Sequence, residues 1–309
     1  MNFDRLSSFL YNTGMLEILR ITSIKNNVFY LETKGEEKFI LKKHRNQAKV
    51  EQQWIFFEKL NLPVVIGFER FPNHKRFIKD NGQYWTISKY IKGKRLNYAD
   101  EEDRQETLQT LQTFHEHSSG LKIPEPLKKE LFYKRWYKRL QTFRKTEYIF
   151  IEYQFNSLYK DIVQTTEHAL EIISEYPWNR LEQQAVAYGT WIHGDVASHN
   201  FIRGRNQLYM IDFDLLLCAP QLYDCIQLGQ RFLPYTDFDL YKLLSYRMVE
   251  EQFLKPWLYG ISVPSDILRE WINYLYRTPE RSVHNYLQTM HSNWMKRQSF
   301  LKEVRSMLK

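Results

Sequence analysis

The chain of 309 residues is 43% hydrophobic and 26% charged, a balance that allows a packed core and excludes a wholly disordered protein. It carries 44 Lys and Arg against 36 Asp and Glu, with the excess concentrated in residues 1–93, which favours an anionic partner such as a nucleotide; no nucleic-acid-binding motif is present, so no nucleic-acid partner is expected. Two cysteines exclude a disulfide framework, and no apolar run reaches the ~20 residues of a membrane helix, so we expect a cytoplasmic protein without a transmembrane segment.

The first part of the chain shows the alternation of apolar and polar residues that is typical of strands, interrupted by helical segments. In chain order the pattern predicts an amphipathic helix over 3–19 that Gly14 can break, a hairpin formed by 28–33 and 38–41, a helix over 46–60, and a second hairpin formed by 76–79 and 83–91. The second hairpin contains Asp80-Asn81-Gly82, a strong turn signal. This region is therefore predicted to be mostly antiparallel sheet.

After Gly93 the pattern changes to the longer periodicity of helices. Long helices are predicted over 100–117, 126–145, 157–176, 236–255 and 279–307. Between them, 188–214 contains short strand-like segments around a glycine-containing turn. The sequence thus predicts an α+β protein with a small, antiparallel-β lobe over 1–90 that carries one inserted helix. A hinge at 88–93 leads to a large, mostly helical lobe over 94–309.

Residues suited to catalysis are concentrated in the segment HGDVASHN at 193–200 and the segment IDFD at 211–214. Transfer of a phosphoryl group from ATP needs one carboxylate near the attacking hydroxyl, and an amide oxygen and a second carboxylate that hold Mg²⁺. Asp195 suits the first role, and Asn200 and Asp212 suit the other two, in the spacing of a kinase catalytic loop. Each residue alone is also compatible with an ordinary turn, so the hypothesis rests on their combination.

The predicted β-rich lobe offers further residues for nucleotide binding. Lys42 ends a predicted strand, where its ammonium group would contact the α- and β-phosphates, and Glu51 on the following helix would hold that ammonium group in place. Both are also compatible with solvated surface side chains. Residues 22–28, where a glycine-rich phosphate loop is expected, contain no glycine, although Asn26 and Asn27 tolerate the left-handed backbone of a turn.

Several segments together resemble one known superfamily. The segments HGDVASHN and IDFD, the hinge-like ISKYIKG at 87–93 and LQTFH at 111–115 are similar to the aminoglycoside phosphotransferase/choline kinase superfamily. Within it, Pro220 and Leu222-Tyr223-Asp224 after IDFD look most similar to the CotS-type bacterial spore-coat proteins. The resemblance runs in order along nearly the whole chain. It implies a protein-kinase-like bilobal fold with ATP in the cleft between the lobes.

The resemblance also implies roles for individual residues. These are Asp195 as the catalytic base, Asn200 and Asp212 as Mg²⁺ ligands, Lys42 as the phosphate-binding lysine, and Ser88 and Tyr90 of the hinge-like segment beside the nucleotide. Asp224 matches a buried carboxylate that braces the catalytic loop; the alternative is that it caps the start of a helix. His193 is expected to orient the same loop through hydrogen bonds.

Two functions of different classes are compatible with these residues. The first is an ATP- and Mg²⁺-dependent phosphotransferase that acts on a small-molecule hydroxyl and is associated with the spore coat. The second is a kinase-fold structural or interaction component of the spore coat, whose site is vestigial or only binds nucleotide and whose partners are other coat proteins. Retention of Asp195, Asn200, Asp212 and Lys42 favours the first hypothesis, and the glycine-free segment favours the second.

The charge of the C-terminal region bears on the acceptor. Residues 225–309 carry 12 Lys and Arg against 8 Asp and Glu. Aminoglycosides are polycations, and a site that binds them needs an excess of carboxylates. We therefore expect that the acceptor is not an aminoglycoside and that a neutral or anionic hydroxyl compound, such as a sugar derivative, fits better.

Overall fold

Alternating buried and exposed side chains build the first part of the chain into one antiparallel sheet. The computed structural model describes residues 3–277 and 282–308. Its largest sheet contains β1 (Ile18–Lys25), β2 (Val28–Thr33), β3 (Lys38–His44), β4 (Ile78–Asp80) and β5 (Gln83–Lys89), in the spatial order β1-β2-β3-β5-β4. In the register of this sheet Leu41 pairs with Phe29 on one side and with Ile87 on the other. Leu41 and Ile87 are buried and pack in one cluster beneath helix α1 (Phe3–Gly14).

Helix α2 (Gln47–Lys59) connects this sheet to the rest of the molecule. It begins where the Asn46 side chain accepts a hydrogen bond of 3.0 Å from the Lys49 amide, a standard N-cap. Val50 and Trp54 pack against Tyr84 of the sheet. Phe56 belongs instead to the large core of the second part of the chain. The helix is thus fixed from both sides, which holds the sheet in a defined position over the helical region.

Two small sheets and a series of helices form the second part of the chain. The strands are β6 (Lys94–Arg95), β7 (Trp191–Ile192), β8 (Phe201–Arg203), β9 (Leu208–Met210) and β10 (Leu217–Cys218). One sheet has the order β6-β8-β9 and the other pairs β7 with β10, both antiparallel. The helices are α3 (Glu101–Ser118), α4 (Phe132–Arg144), α5 (Glu147–Glu152), α6 (Asn156–Glu175), α7 (Trp178–Tyr188), α8 (Leu222–Phe232), α9 (Leu240–Ser245), α10 (Glu251–Ser262), α11 (Ser265–Tyr276) and α12 (Val283–Leu308).

Backbone hydrogen bonds join the two parts directly beneath the large sheet. The Met210 amide donates to the Val64 carbonyl at 2.7 Å, and the Ile66 amide donates to the Met210 carbonyl at 3.0 Å. The chain itself passes from β5 to β6 between Lys89 and Lys94. These contacts place the end of β9, and the residues that follow it, under the sheet. Within the described residues, every helix is too short or too polar to cross a membrane.

The predicted α+β class is confirmed, as are both hairpins and the helix that became α2. Helix α1 ends at Gly14, the break that the sequence allowed, and the helix predicted beyond it is wrong, because the chain turns left-handed at Met15 and residues 18–25 pair with β2 instead. The strand forms there because it pairs with β2, and the local sequence pattern carries no information about that pairing.

The single helix predicted over 236–255 is also wrong. Asp237 and Phe238 both have positive φ and separate a short 3₁₀ turn from α9. Arg247, again at positive φ, separates α9 from α10. The predicted helix over 279–307 corresponds to α12, and its residues 279–281 lie outside the described residues.

We expect that Leu41→Ala lowers the free energy of unfolding by about 2–5 kcal/mol, because it empties a fully buried position in the cluster under the sheet. Leu19→Ala is the matched control, since Leu19 lies on neighbouring β1 with 68% of its surface exposed and should change stability by less than about 0.5 kcal/mol. Urea unfolding monitored by circular dichroism measures both. Equal effects of the two substitutions would contradict the proposed packing of the sheet.

Candidate functional site

The loop after β7 is held by one buried carboxylate. Asp224, in the first turn of α8 and fully buried, accepts hydrogen bonds from the backbone amides of His193 at 2.8 Å and Gly194 at 2.9 Å. It also lies 3.1 Å from Nε2 of His115 on α3. Gly194 has φ of +80°, and a Cβ there would come within 2.4 Å of the Leu215 carbonyl oxygen. The turn therefore requires glycine at this position and an anion behind it.

His193 ties the loop to the segment that follows β9. Its buried ring accepts at Nδ1 from the Asp195 amide at 3.2 Å, and Nε2 lies 3.0 Å from the Ile211 carbonyl oxygen. Since a carbonyl oxygen only accepts, Nε2 carries the proton and the ring is a neutral imidazole. Burial lowers the pKa of His193, which agrees with that neutral form. The ring fixes the spacing between Asp195 and the residue after Ile211, which is Asp212.

Asn200 lies between these two segments. Its side-chain Nδ2 donates to the Asp195 carbonyl oxygen at 2.9 Å, and the Ile211 amide donates to the Asn200 carbonyl oxygen at 3.0 Å. Within residues 3–277 and 282–308, no hydrogen bond engages Asn200 Oδ1. This oxygen is thus available to a ligand.

Asp212 lies opposite two lysines of the large sheet. It takes a left-handed backbone, with φ of +63°. Lys42 Nζ lies 2.5 Å from Asp212 Oδ1 and 2.8 Å from Asp214 Oδ2, and Lys25 Nζ lies 3.4 Å from Asp212 Oδ2. Burial alone would raise the pKa of Asp212, but the Lys42 and Lys25 charges outweigh it and lower that pKa to about 2. Burial would lower the pKa of Lys42, but Asp214 and Asp212 outweigh it and raise that pKa.

Glu51 is not brought to Lys42. Its carboxylate accepts a hydrogen bond of 2.7 Å from Gln47 one turn earlier on α2. Within the described chain, the ion pairs of Lys42 are with Asp212 and Asp214. The residue of α2 that does reach the site is Gln53, whose side chain donates to the Phe213 carbonyl oxygen. The predicted Lys42–Glu51 pair is therefore absent from the described residues, because α2 turns Gln53 rather than Glu51 toward the site.

Three further residues belong to the site that the sequence reading did not single out. Asp214 shares Lys42 with Asp212, and its place in the same IDFD segment is the signal that the sequence contained. Arg231 Nη2 lies 2.6 Å from Asp195 Oδ1. Gln227 accepts from the Val196 amide at 2.8 Å and donates to the Gly194 carbonyl at 3.0 Å. The spacing of Asp224, Gln227 and Arg231 is i, i+3, i+7, so the three side chains share one helix face. A prediction that Asp224 contacts the loop therefore also predicts that Gln227 and Arg231 lie near it.

Two cavities meet at these residues. The first, of about 430 Å³, lies between the large sheet and the loops and is called the cleft below. It is lined by Lys25, Lys42, Ser88, Tyr90, His199, Asn200, Asp212 and Asp214, among others. The second, of about 400 Å³, is called the basic pocket and is lined by Asp195, His199 and Arg231 together with residues of α4, α8 and α11. Since His199 borders both cavities, a molecule in each would meet beside it and Asp195.

The residues of the cleft fit a magnesium ion that arrives with a nucleotide. Asp212 supplies a carboxylate and Asn200 an uncommitted amide oxygen, both hard oxygen ligands. The described residues contain no cluster of three or more His, Cys, Asp and Glu side chains with the spacing of a metal site. Mg²⁺ typically binds one or two carboxylates and completes its coordination with water and phosphate oxygens. The donor set thus fits Mg²⁺ with phosphate, and the lysines fit the phosphate charge.

Comparisons with known proteins identify a family and related folds. Residues 17–240 match the sequence profile of the phosphotransferase enzyme family. An aminoglycoside phosphotransferase from Alicyclobacillus acidocaldarius is 16% identical, with a TM-score of 0.69 over 95% of this chain and 93% of its own. A spectinomycin phosphotransferase solved with ADP and spectinomycin is 13% identical, with a TM-score of 0.59 over 97% and 93%. An amicoumacin kinase solved with AMP-PNP and Ca²⁺ is 14% identical, with a TM-score of 0.58 over 99% and 96%.

At these identities the likenesses establish the fold. The predicted protein-kinase-like fold, with an antiparallel sheet in the N-terminal region and helices in the C-terminal region, is confirmed. No curated protein matches the chain.

We expect that Asp224→Asn lowers the free energy of unfolding by about 1–3 kcal/mol, because an amide removes the charge and one acceptor oxygen from buried N–H groups. Asp161→Asn is the control, since Asp161 is exposed on α6 and its loss should change stability by less than about 0.5 kcal/mol. Urea unfolding of both variants measures the difference. If Asp224→Asn is as stable as the control, the carboxylate does not brace the loop.

Proposed function

The chain belongs to the phosphotransferase enzyme family, and we propose that it transfers the γ-phosphoryl group of ATP to a hydroxyl group of a small molecule with the help of Mg²⁺. The observation that carries the proposal is the convergence of Lys42, Asn200, Asp212 and Asp195 where the two cavities meet. These are the four groups that phosphoryl transfer requires: a phosphate cation, two metal ligands and a carboxylate for the hydroxyl.

The cleft is the proposed nucleotide site. Ser88 at the end of β5 and Tyr90 just after this strand line the cleft, as do Lys25 and Lys42 beside Asp212. Phosphate oxygens would share the ammonium group of Lys42 with Asp212 and Asp214, which now hold it. Spectinomycin phosphotransferase with ADP and amicoumacin kinase with AMP-PNP share this fold, which supports a nucleotide here.

The proposed metal ligands are Asn200 Oδ1 and the Asp212 carboxylate. Mg²⁺ held there would neutralise charge on the phosphates as the transferred group leaves ADP. The His193 ring keeps the two ligands in register, because it bonds both the loop before Asn200 and the residue before Asp212. Asn200 is held from the other side by the Asp195 carbonyl oxygen.

The proposed reaction takes place between the cavities. The acceptor oxygen bonds to the γ-phosphorus while the bond from that phosphorus to the ADP oxygen breaks, and the hydroxyl proton passes to the Asp195 carboxylate. Arg231 is a positioning residue, since its guanidinium fixes one carboxylate oxygen of Asp195 and leaves the other for the hydroxyl. Gln227 holds the backbone on both sides of Asp195 in place.

A kinase-fold component of the spore coat with a nucleotide-binding-only or vestigial site is the second candidate. The turn between β1 and β2 favours it, because this turn over the cleft contains Asn26 and Asn27 and no glycine. Asn27 takes the left-handed backbone that glycine would provide, with φ of +67°, so the turn closes without glycine. The association with the spore coat and its proteins stays a prediction from the resemblance.

We expect that Asp195→Asn lowers the rate of phosphoryl transfer by about 10²–10⁴-fold while the affinity for Mg²⁺–ATP stays within about twofold, because the amide keeps the shape of the side chain but takes no proton. Single-turnover assays with radiolabelled ATP and nucleotide titrations measure the two quantities. Asp237→Asn is the control, since Asp237 pairs with Lys296 on the surface, outside both cavities. An unchanged rate in Asp195→Asn would remove this residue from the mechanism.

We expect that Asp212→Ala weakens ATP binding in Mg²⁺ by at least about tenfold and does not weaken it in EDTA. The metal loses a ligand in the variant, whereas Lys42 loses a competing carboxylate and remains free for phosphate. Calorimetric titrations with and without Mg²⁺ measure both affinities. If the wild type binds ATP equally in Mg²⁺ and in EDTA, the result would favour a vestigial site. If Asp212→Ala binds ATP in Mg²⁺ as tightly as the wild type does, the result would refute the metal assignment.

A further inference from the structure

The basic pocket contains more cations than its own carboxylates neutralise. Its walls carry five basic side chains, from the segment before α4 and from α4, α8 and α11: Lys129, Arg135, Arg139, Arg231 and Arg269. The carboxylates of the same walls are Glu130, Glu182, Asp195 and Asp224. The partners of these groups decide what charge is left for a ligand.

Each carboxylate of the pocket is already engaged. Asp224 accepts from the backbone of the catalytic loop. Glu182 accepts from the Tyr223 hydroxyl at 3.0 Å, and Glu130 pairs with Lys138 at 2.7 Å. Asp195 is the partner of Arg231. The hydrogen bonds of Glu182 to a phenol and of Asp224 to the backbone engage these two carboxylates without neutralising a guanidinium group of the pocket.

Most of the cations, in contrast, have weak partners or none. Arg135 and Arg139 make no hydrogen bond or ion pair with any residue in the described parts of the chain. Among the described residues, the one hydrogen-bond partner of Lys129 Nζ is the Leu215 carbonyl oxygen, at 3.5 Å. In the same part of the chain, Arg269 pairs only with its neighbour Glu270, at 3.7 Å. Four cations are thus left to face one another across a cavity of small-molecule size.

Burial and repulsion between neighbouring cations both lower pKa values in this pocket. Burial, followed by the charges of Arg269 and Arg135, lowers the pKa of Arg139 to about 10. Burial, followed by the charges of Lys49 and Arg135, lowers the pKa of Lys129 to about 8. An anion among these groups would relieve both effects, because an opposite charge stabilises the protonated forms.

The geometry of the pocket also suits a bound anion. Arg135 and Arg139 are four residues apart on α4 and therefore lie on the same face of that helix. Their guanidinium groups present the paired donors that fit a carboxylate or a phosphate. Phe132 and Trp136 of α4 also line the pocket. An organic molecule with an anionic end thus finds apolar contact as well as charge.

We propose that the basic pocket binds an anionic hydroxyl compound, with its phosphate or carboxylate group at Arg135 and Arg139 and its hydroxyl toward Asp195. This inference rests on the proposed function for the reaction, but the binding of the anion is independent of it. Polycationic compounds would add positive charge to unpaired cations, so the pocket excludes them. The assignment narrows the neutral or anionic acceptor expected from the sequence to an anionic one.

The binding test compares two double variants that lose the same charge. Arg135→Gln/Arg139→Gln changes the pocket, whereas Lys134→Gln/Lys145→Gln removes two exposed lysines on or next to the same helix that do not line it. Inorganic phosphate and acetate are the probes, titrated by calorimetry. Since Lys25 and Lys42 in the cleft also attract anions, the readout is the change in affinity between variants.

We expect the arginine variant to bind the preferred probe at least about tenfold more weakly than wild type, and the lysine variant to stay within about twofold. The stronger probe identifies phosphate or carboxylate as the recognised group. Equal losses in both variants, or none in either, would overturn the proposal, because the anion would then respond to net charge or bind elsewhere.

A transfer assay separates this proposal from the proposed function. Glucose 6-phosphate, gluconate, glucose and kanamycin are offered with Mg²⁺–ATP, and we expect kcat/KM for an anionic compound to exceed that for glucose and kanamycin at least about tenfold. Preference for glucose or kanamycin would overturn the anionic acceptor. Absence of transfer to every compound, with anion binding lost only in the arginine variant, would contradict the phosphotransferase function while supporting the anion site.

Discussion

The arrangement of the site depends on the buried carboxylate of Asp224. A buried charge is costly unless hydrogen bonds satisfy it, and this one receives two backbone amides and faces the ring of His115. Because these partners lie on α3 and in the loop after β7, and Asp224 itself lies on α8, one side chain joins three elements. The first turn of α8 also favours a negative charge. The same helix then carries Gln227 and Arg231 to Asp195, so the position of the reactive carboxylate follows from Asp224.

The two cavities differ in whether their cations are paired with carboxylates. In the cleft, Lys42 lies between Asp212 and Asp214, so the cation is paired within the described residues. In the basic pocket, Arg135 and Arg139 lie on one face of α4 without an ion-pair partner in the described chain. Unpaired cations that are partly buried lower the stability of the free protein, and such groups are typical of sites that bind an anionic ligand. Asp195 lies at the boundary, where a phosphoryl group and its acceptor would meet.

Sequence periodicity correctly predicted the elements that depend on interactions between residues close together in the chain. The hairpin β2–β3 and helix α2 follow from periodicity and turn residues that lie within a few positions of each other. Strand β1 does not follow from the local pattern, because it forms by pairing with β2. The break around Asp237 does not follow from it either, because the left-handed backbone there depends on packing. Glu51 illustrates the same limit, since periodicity groups the residues of a helix into faces without saying which face meets Lys42.

The sequence by itself determined the candidate site residues and their order along the chain. Asp195, Asn200 and Asp212 fall within 18 residues of one another, so a short loop and hairpin are enough to bring them together. Only the tertiary structure decided that Lys42, 170 residues from Asp212, pairs with it, and that arginines of three helices surround one pocket. The reason is physical: spacing along the chain fixes neighbours through helical and strand geometry, whereas contacts between distant segments depend on how whole elements pack.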